Sequence, residues 1–183
     1  VWCYIDPVDL HERYRGRQIT LTTPDGFATE PDRSLRTETA ASWIVRLSSL
    51  GVVQSLASYE EAGRAWLRAT VDVGASDPSG PVVHIVAPSS VEPWGPLQPE
   101  LTGIGASEEQ IVLLSRWLAE RGARVTVYGH PAQPCVDRRV VYRSVKSWTP
   151  TVPSDLLIAH REPWIAQYET KAKHVYVWLH DQP

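Results

Sequence analysis

The stretch VVHIVA at residues 82–87 decides the fold class. Apart from His84, its residues are apolar and mostly β-branched, which is typical of a short strand buried on both faces of a sheet. Similar runs follow at 124–129, 155–160 and 174–180, with a weaker one at 140–145. The second half of the chain therefore predicts five strands.

A helix is expected between the first two of these strands. Ser107 followed three residues later by Gln110 matches a capping box, and Gly122 is placed to end the helix. The apolar positions that recur at helical spacing and would form the buried face are Ile111, Val112, Leu114, Trp117 and Leu118. A second, short helix is expected at 162–170.

Buried strands that alternate with helices predict a doubly wound parallel α/β sheet. Right-handed crossovers that start from the strand at 82–87 predict the strand order 3-2-1-4-5. Because the last run, at 174–180, is also apolar, we expect it to be buried. Ligands of such sheets bind beyond the carboxyl ends of the strands.

The stretch GASDPSGP at 74–81 reads as a linker and divides the chain into segments 1–73 and 82–183. In the first segment, strands are expected at 18–23, 52–56 and 66–73. A helix is expected at 37–50.

Composition narrows the class of protein. The 183 residues are 43% hydrophobic and 21% charged, with a net charge of −3, which is ordinary for a globular chain. The sequence has no basic patch typical of a nucleic-acid binder and no apolar run that predicts a transmembrane segment. The first residues lack the pattern of a secretory signal.

Cys3 and Cys135 are expected to be free thiols in a reducing, cytoplasmic compartment. Since the chain has no Met, we expect a fragment of a longer protein.

The glycines at 103–105 follow a strand and open a helix, where backbone amides can bind a phosphate. The alternative is a plain loop and helix start, because Glu108 stands where the GxGxxG dinucleotide motif needs a small residue. The chain has no spacing typical of a metal site or a hydrolase elbow.

Polar and aromatic residues near the strand ends are further candidates. His180 could contact a sugar hydroxyl or act in acid/base chemistry, or it could pack under a loop. Arg161 and Glu162 could face the ligand cleft, or could be solvated surface residues. Trp94 could stack on a sugar ring, or could plug the core. His84 is expected to be a core histidine. His130, which follows the second strand next to Pro131, could be a site residue or a structural one.

Five segments in order carry a resemblance: SVEPW at 90–94, TGIGASE at 102–108, VTVYG at 125–129, DLLIA at 155–159 and VWLHD at 177–181. Together they resemble the N-terminal half of a GT-B glycosyltransferase of family 4. The resemblance implies a Rossmann-like domain at 82–183 that uses a nucleotide-sugar donor and transfers the sugar with retention of configuration. It implies neither a metal nor an organic cofactor, and its acceptor is a glycan or other small molecule.

The resemblance also implies roles for individual residues. The donor phosphates would lie near the loop formed by Gly103, Ile104, Gly105 and Ala106. His180 would be catalytic and face the donor sugar, and the acceptor would contact Trp94, Arg161 and Glu162. Ala106 departs from the family pattern, which has a second glycine there. The C-terminal donor domain would be missing, so this fragment alone is expected to be inactive.

Residues 1–73 resemble the C-terminal end of a class I methyltransferase that uses S-adenosylmethionine, which suggests a methyltransferase fusion. The cofactor loop of that family would lie upstream, so S-adenosylmethionine binding is not expected. Two other readings stay open for 82–183: a non-catalytic Rossmann-like binding domain, and a nucleotide-dependent oxidoreductase or epimerase. The latter expects an acidic residue at the end of the second strand, where Tyr128, Gly129 and His130 stand instead.

Overall fold

The computed structural model describes residues 13–24, 43–44, 47–48, 50–75, 79–90, 93–96, 105–132 and 134–179. They form a mixed α/β protein with more strand than helix. The chain divides into two compact units. The first lies within Val1–Asp77 and includes Cys135–Asp137, and the second lies within Pro78–Pro134 and Arg138–Pro183. No helix of the described ranges is both long and apolar enough to cross a membrane.

The first unit is built on an antiparallel sheet in the order β1-β3-β2-β6. Its strands are β1 (Gln18–Pro24), β2 (Gly51–Glu61), β3 (Arg64–Val73) and β6 (Cys135–Asp137). The three strands expected in the first segment are therefore confirmed. Ala62 and Gly63, at φ 52° and 70°, form the two-residue turn between β2 and β3. Two successive positive φ values are those of a type I′ turn, whose twist matches a β-hairpin.

Alternation along β3 puts one face of this sheet in the core. Leu67, Ala69, Val71 and Val73 are buried, while the residues between them are at least partly exposed. The helix expected at 37–50 lies partly outside the described residues, although 43–44 and 47–48 are helical.

Strand β6 belongs to this unit although it comes after the linker in the sequence. Leu56 of β2 pairs with Val136 of β6. The boundary read from the sequence left residues 135–137 with the second segment. Cys135 of β6 has a free thiol. Burial, followed by the neighbouring Asp137 carboxylate, raises the pKa of Cys135 to about 12, which keeps this thiol protonated at neutral pH. Cys3 lies outside the described residues.

The second unit contains five parallel strands in the order β7-β5-β4-β8-β9. They are β4 (Val82–Val86), β5 (Arg124–Gly129), β7 (Val140–Ser144), β8 (Ser154–His160) and β9 (Ala172–Trp178). In chain order this arrangement is 3-2-1-4-5, so the predicted strand order is confirmed.

Helix α1 (Ala106–Glu120) connects β4 to β5. Its C-terminus is a Schellman motif: Gly122 has φ 88°, its N–H donates to the Ala119 oxygen, and the N–H of Ala123 donates to the Leu118 oxygen. The expectation that Gly122 ends the helix is confirmed. The capping box is wrong, because the N-cap is Gly105 and no side chain caps the helix.

The buried face of α1 also differs from the prediction. It contains the polar residues Ser115 and Arg116, whereas Trp117 is 49% exposed. A charged side chain buries well only with hydrogen-bond partners, and Arg116 donates from Nη2 to the Pro96 oxygen at 3.0 Å. Apolar spacing alone does not reveal such a partner.

Two 3-10 helices, Val145–Ser147 and Pro163–Gln167, lie in the connections after β7 and β8. The second replaces the short helix expected at 162–170. The strand pairing establishes the parallel sheet. Within the described residues, α1 is the α-helix that joins strands of this sheet. The doubly wound arrangement, with helices on both faces, therefore stays a prediction.

Strand β9 is more exposed than expected. Its Tyr176 is 64% exposed, and Val175 and Val177 are also exposed. The strand hydrogen-bonds to β8 on one side and is last in the strand order, so it has the environment of an edge strand. The expectation that its apolar residues are buried is wrong, since an apolar run predicts a strand but not its position in the sheet.

Asp155 ties three neighbouring strands together. Its Oδ2 accepts a hydrogen bond from the Val82 N–H at 2.7 Å, and its Oδ1 lies 2.7 Å from Nζ of Lys173. The hydrogen bond from Lys173, then that from Val82, holds the pKa of Asp155 below its usual value. A carboxyl whose pKa is lowered in the folded state stabilises that state above its unfolded pKa, and this contribution is lost as the pH falls.

We therefore expect Asp155→Asn to lower the urea midpoint of unfolding at pH 7. The difference from the original chain should shrink below about pH 4, where the carboxyl becomes protonated in the unfolded state. Glu120→Gln, at an exposed position on α1, is the control. A difference in midpoint that is the same at pH 7 and pH 3 would contradict this assignment.

Candidate functional site

The strand order of the second unit reverses at β4. The chain passes from β4 to β5 on one side of it, and β8 lies on the other side. In parallel α/β sheets, ligands bind at the carboxyl ends of the strands where the order reverses. The candidate site therefore consists of the residues that follow β4, β5 and β8.

Arg161 connects the end of β8 to the start of α1. Its backbone is left-handed, at φ 62°, and its N–H donates to the Trp178 oxygen at 2.9 Å. Its guanidinium Nη1 donates to Oγ of Ser107 at 3.4 Å. A cationic group therefore lies beside the first turn of α1.

The first turn of α1 has backbone amides available. The N-cap residue Gly105 offers no side chain, and the carbonyl of Gly105 accepts from the N–H of Glu109 at 3.0 Å. The N–H groups at 106–108 come too early in the helix to have intrahelical partners. Oγ of Ser107 donates to the Glu108 carboxylate at 2.8 Å, and this carboxylate lies where a side chain at 105 would project. The amides and Arg161 favour an anion, while Glu108 and Glu109 oppose one.

The donor-loop residues predicted from the sequence are only partly described. Gly105 and Ala106 lie at the start of α1, whereas Gly103 and Ile104 lie outside the described residues. His180, the predicted catalytic residue, also lies outside them.

Glu162 connects the same edge of the sheet to the following 3-10 helix. Its Oε1 accepts from Oγ of Ser89, just beyond β4, at 2.6 Å, and its Oε2 accepts from Nε1 of Trp164. Arg161 and Glu162 are therefore both tied to residues at the carboxyl edge, through Ser107 and Ser89.

Trp94 is placed differently from these two residues. It is 4% exposed and packs edge-to-face against Tyr142, with ring centroids 6.4 Å apart. Its indole Cζ2 would lie 2.7 Å from a Cβ built on Gly129, and the backbone N–H of Trp94 donates to the His130 oxygen at 3.0 Å. This is the core plug that the sequence offered as an alternative. Stacking on a sugar would require the indole to leave this position.

The described histidines at the strand ends have distinct surroundings. His84 is buried within β4, edge-to-face with Tyr128, and its burial lowers the pKa of its imidazole, which confirms the expected core histidine. His130 donates from Nε2 to the Pro88 oxygen at 2.9 Å and so joins the loops after β5 and β4. His160 is buried at the end of β8, edge-to-face with Trp178.

Sequence reasoning missed Ser89, Arg116 and Trp164. Ser89 had no distinguishing spacing, and the partner of Arg116 is a backbone carbonyl 20 residues away. An aromatic residue directly after the Arg-Glu-Pro segment was a usable signal for Trp164, since its polar neighbours were already candidates.

Within the part of the chain that the structure describes, no three His, Cys, Asp or Glu side chains are grouped so that they could hold a metal ion. The absence of a metal from the reaction stays a prediction. Comparison with family models, curated proteins and solved structures gives no match. The function is therefore inferred from the geometry of the site itself.

Proposed function

We propose that the second unit is the N-terminal, Rossmann-like, doubly wound domain of a retaining GT-B glycosyltransferase. Its substrate would be a nucleotide-sugar, and its acceptor a glycan or other small molecule. The observation that carries this proposal is the contact between Arg161 and Ser107, made where the order of the parallel strands reverses.

The diphosphate of a nucleotide-sugar needs hydrogen-bond donors and positive charge. The amides of the first turn of α1 supply the donors, and Arg161 supplies a guanidinium suited to phosphate oxygens. Donor binding has to displace the Glu108 carboxylate, because this carboxylate accepts the hydrogen bond that Oγ of Ser107 donates in the structure. This competition predicts weak binding by the second unit alone.

The proposal changes the roles of two predicted acceptor contacts. Trp94 is a core residue and is no longer among them. Arg161 was expected among the acceptor contacts, but its position beside the loop of Gly105 and Ala106 suits the donor phosphates better. Glu162 stays an acceptor contact, and His180 stays the predicted contact to the donor sugar. We propose that the reaction needs neither a metal nor an organic cofactor. We also propose that the protein works in a reducing, cytoplasmic compartment.

Titration of the ¹⁵N-labelled chain with UDP-glucose and GDP-mannose tests this proposal by NMR. We expect the amide signals of Ser107 and Glu108 to shift, whereas uridine and guanosine, which lack phosphate, should leave them unchanged. Arg161→Gln should weaken donor binding by roughly tenfold, the effect of losing one hydrogen bond to a charged group.

Arg121→Gln is the matched control. Arg121 is an exposed arginine at the other end of α1, where it stacks on Trp117. Donor-independent signals at Ser107 and Glu108, or equal affinities for the Arg161→Gln and Arg121→Gln chains, would remove the support for a donor site.

A further inference from the structure

Two aromatic side chains stand exposed beside the candidate site. Trp164 of the Pro163–Gln167 helix is 43% exposed, and Tyr168, just after that helix, is 49% exposed. Their ring centroids lie 5.7 Å apart at an angle of 78°. Tyr168 also meets Trp148 edge-to-face, at 6.2 Å. These rings support one another while keeping much of their surface in water.

The position of Trp164 is fixed by a hydrogen bond and by its neighbour in the chain. Its Nε1 donates to Glu162, and the other carboxylate oxygen of Glu162 accepts from Ser89. The next residue, Ile165, is fully buried in a cluster with Val86, Leu157 and Ala159, which anchors the 3-10 helix. An exposed tryptophan with a fixed ring plane and a carboxylate at its edge is suited to bind a ligand.

The aromatic ring of Trp164 and the carboxylate of Glu162 together indicate which class of ligand binds here. Aromatic faces pack against apolar C–H surfaces, and an ionised carboxylate accepts hydrogen bonds only. A pyranose ring presents both a C–H face and hydroxyl donors. An anionic ligand would be repelled by Glu162, and an apolar protein surface would leave this carboxylate buried with unused acceptor capacity.

We infer that Trp164, Tyr168 and Glu162 form a binding site for a neutral saccharide, which rests on the proposed function and makes the acceptor a glycan. The sugar ring lies against the exposed aromatic surface, and its hydroxyls donate to Glu162. The site adjoins the donor edge directly, because Glu162 follows Arg161 in the chain.

NMR of the indole N–H signals tests this inference. The chain has eight tryptophans, and Trp164→Phe identifies the signal of Trp164. Titration with methyl glucoside, methyl mannoside and a linear disaccharide should shift that signal, with a Kd in the millimolar range for ligands of this size. In the Trp164 variants, which lack this indole, the backbone amide signals of Ile165 and Tyr168 report binding instead, and Trp164→Ala should weaken it at least tenfold. Trp164→Phe should retain most of it, because an aromatic face remains.

Trp117→Ala is the matched control, since Trp117 is exposed to a similar extent on a different surface. It should change the affinity for the saccharide less than twofold. Binding that survives Trp164→Ala, or that Trp117→Ala weakens equally, overturns the inference. Tighter binding of tetramethylammonium than of any saccharide also overturns it, because an aromatic pair beside a carboxylate can instead bind a cation.

The two proposals fail separately. If nucleotide-sugars shift Ser107 but no saccharide shifts the Trp164 indole, the donor site stands and the saccharide site falls. If saccharides bind at Trp164 while nucleotide-sugars leave Ser107 unchanged, the donor site falls and the surface is a saccharide-binding site of another kind.

Discussion

Trp94→Ala is expected to lower the free energy of unfolding by about 3–5 kcal/mol, the usual cost of truncating a buried tryptophan. The indole is 4% exposed and fills the space between Gly129 and Tyr142. The Ala side chain would leave a cavity that the backbone of β5 cannot close without moving. Urea unfolding followed by circular dichroism measures the change.

Trp117→Ala serves as the control, because its exposed indole should cost less than about 1 kcal/mol when removed. If Trp94→Ala were no more destabilising than Trp117→Ala, the indole would not be a core plug. Its predicted role in stacking on the acceptor would then become the better explanation.

Gly80→Ala is the second substitution with a large expected effect. A Cβ at this position would lie 1.8 Å from the carbonyl oxygen of Gly122, in the turn that ends α1. One of the two backbones has to move, and forced overpacking of this kind costs roughly 1–3 kcal/mol. The same unfolding measurement should show the loss.

Gly95→Ala is the matched control, since a Cβ there meets nothing within 4 Å. Its effect should stay within about 0.5 kcal/mol. Equal stability of the Gly80→Ala and Gly95→Ala chains would mean that the approach of residue 80 to the end of α1 is not tight in solution.

Much of the parallel sheet could be predicted from the sequence, because two local rules combine. Continuous apolar runs locate strands such as β4 and β8, and the fixed handedness of crossovers orders them. Neither rule gives the surroundings of a strand or helix face. The exposure of β9 and of Trp117 and the burial of Arg116 were missed, since each depends on which other part of the chain packs there.

The candidate site could be located but not assembled. The rule that ligands bind at the carboxyl ends of strands indicated Arg161, Glu162 and His130. Their contacts join residues far apart in sequence: Arg161 and Ser107 are separated by 54 positions, and Glu162 and Ser89 by 73. Hydrogen bonds of that span have no local signature. Trp94 was misleading because an aromatic residue between prolines in a loop looks alike whether it faces the core or the solvent.

The left-handed backbone of Arg161 opposes thermal stability to the retention of a positive charge. A residue with a Cβ loses about 1–2 kcal/mol in this conformation, and glycine does not. A search for heat-resistant variants should therefore select glycine at 161. Such a variant would have a higher melting temperature but would lack the guanidinium beside α1. Keeping arginine there trades thermal resistance for a positive charge at the edge of the sheet.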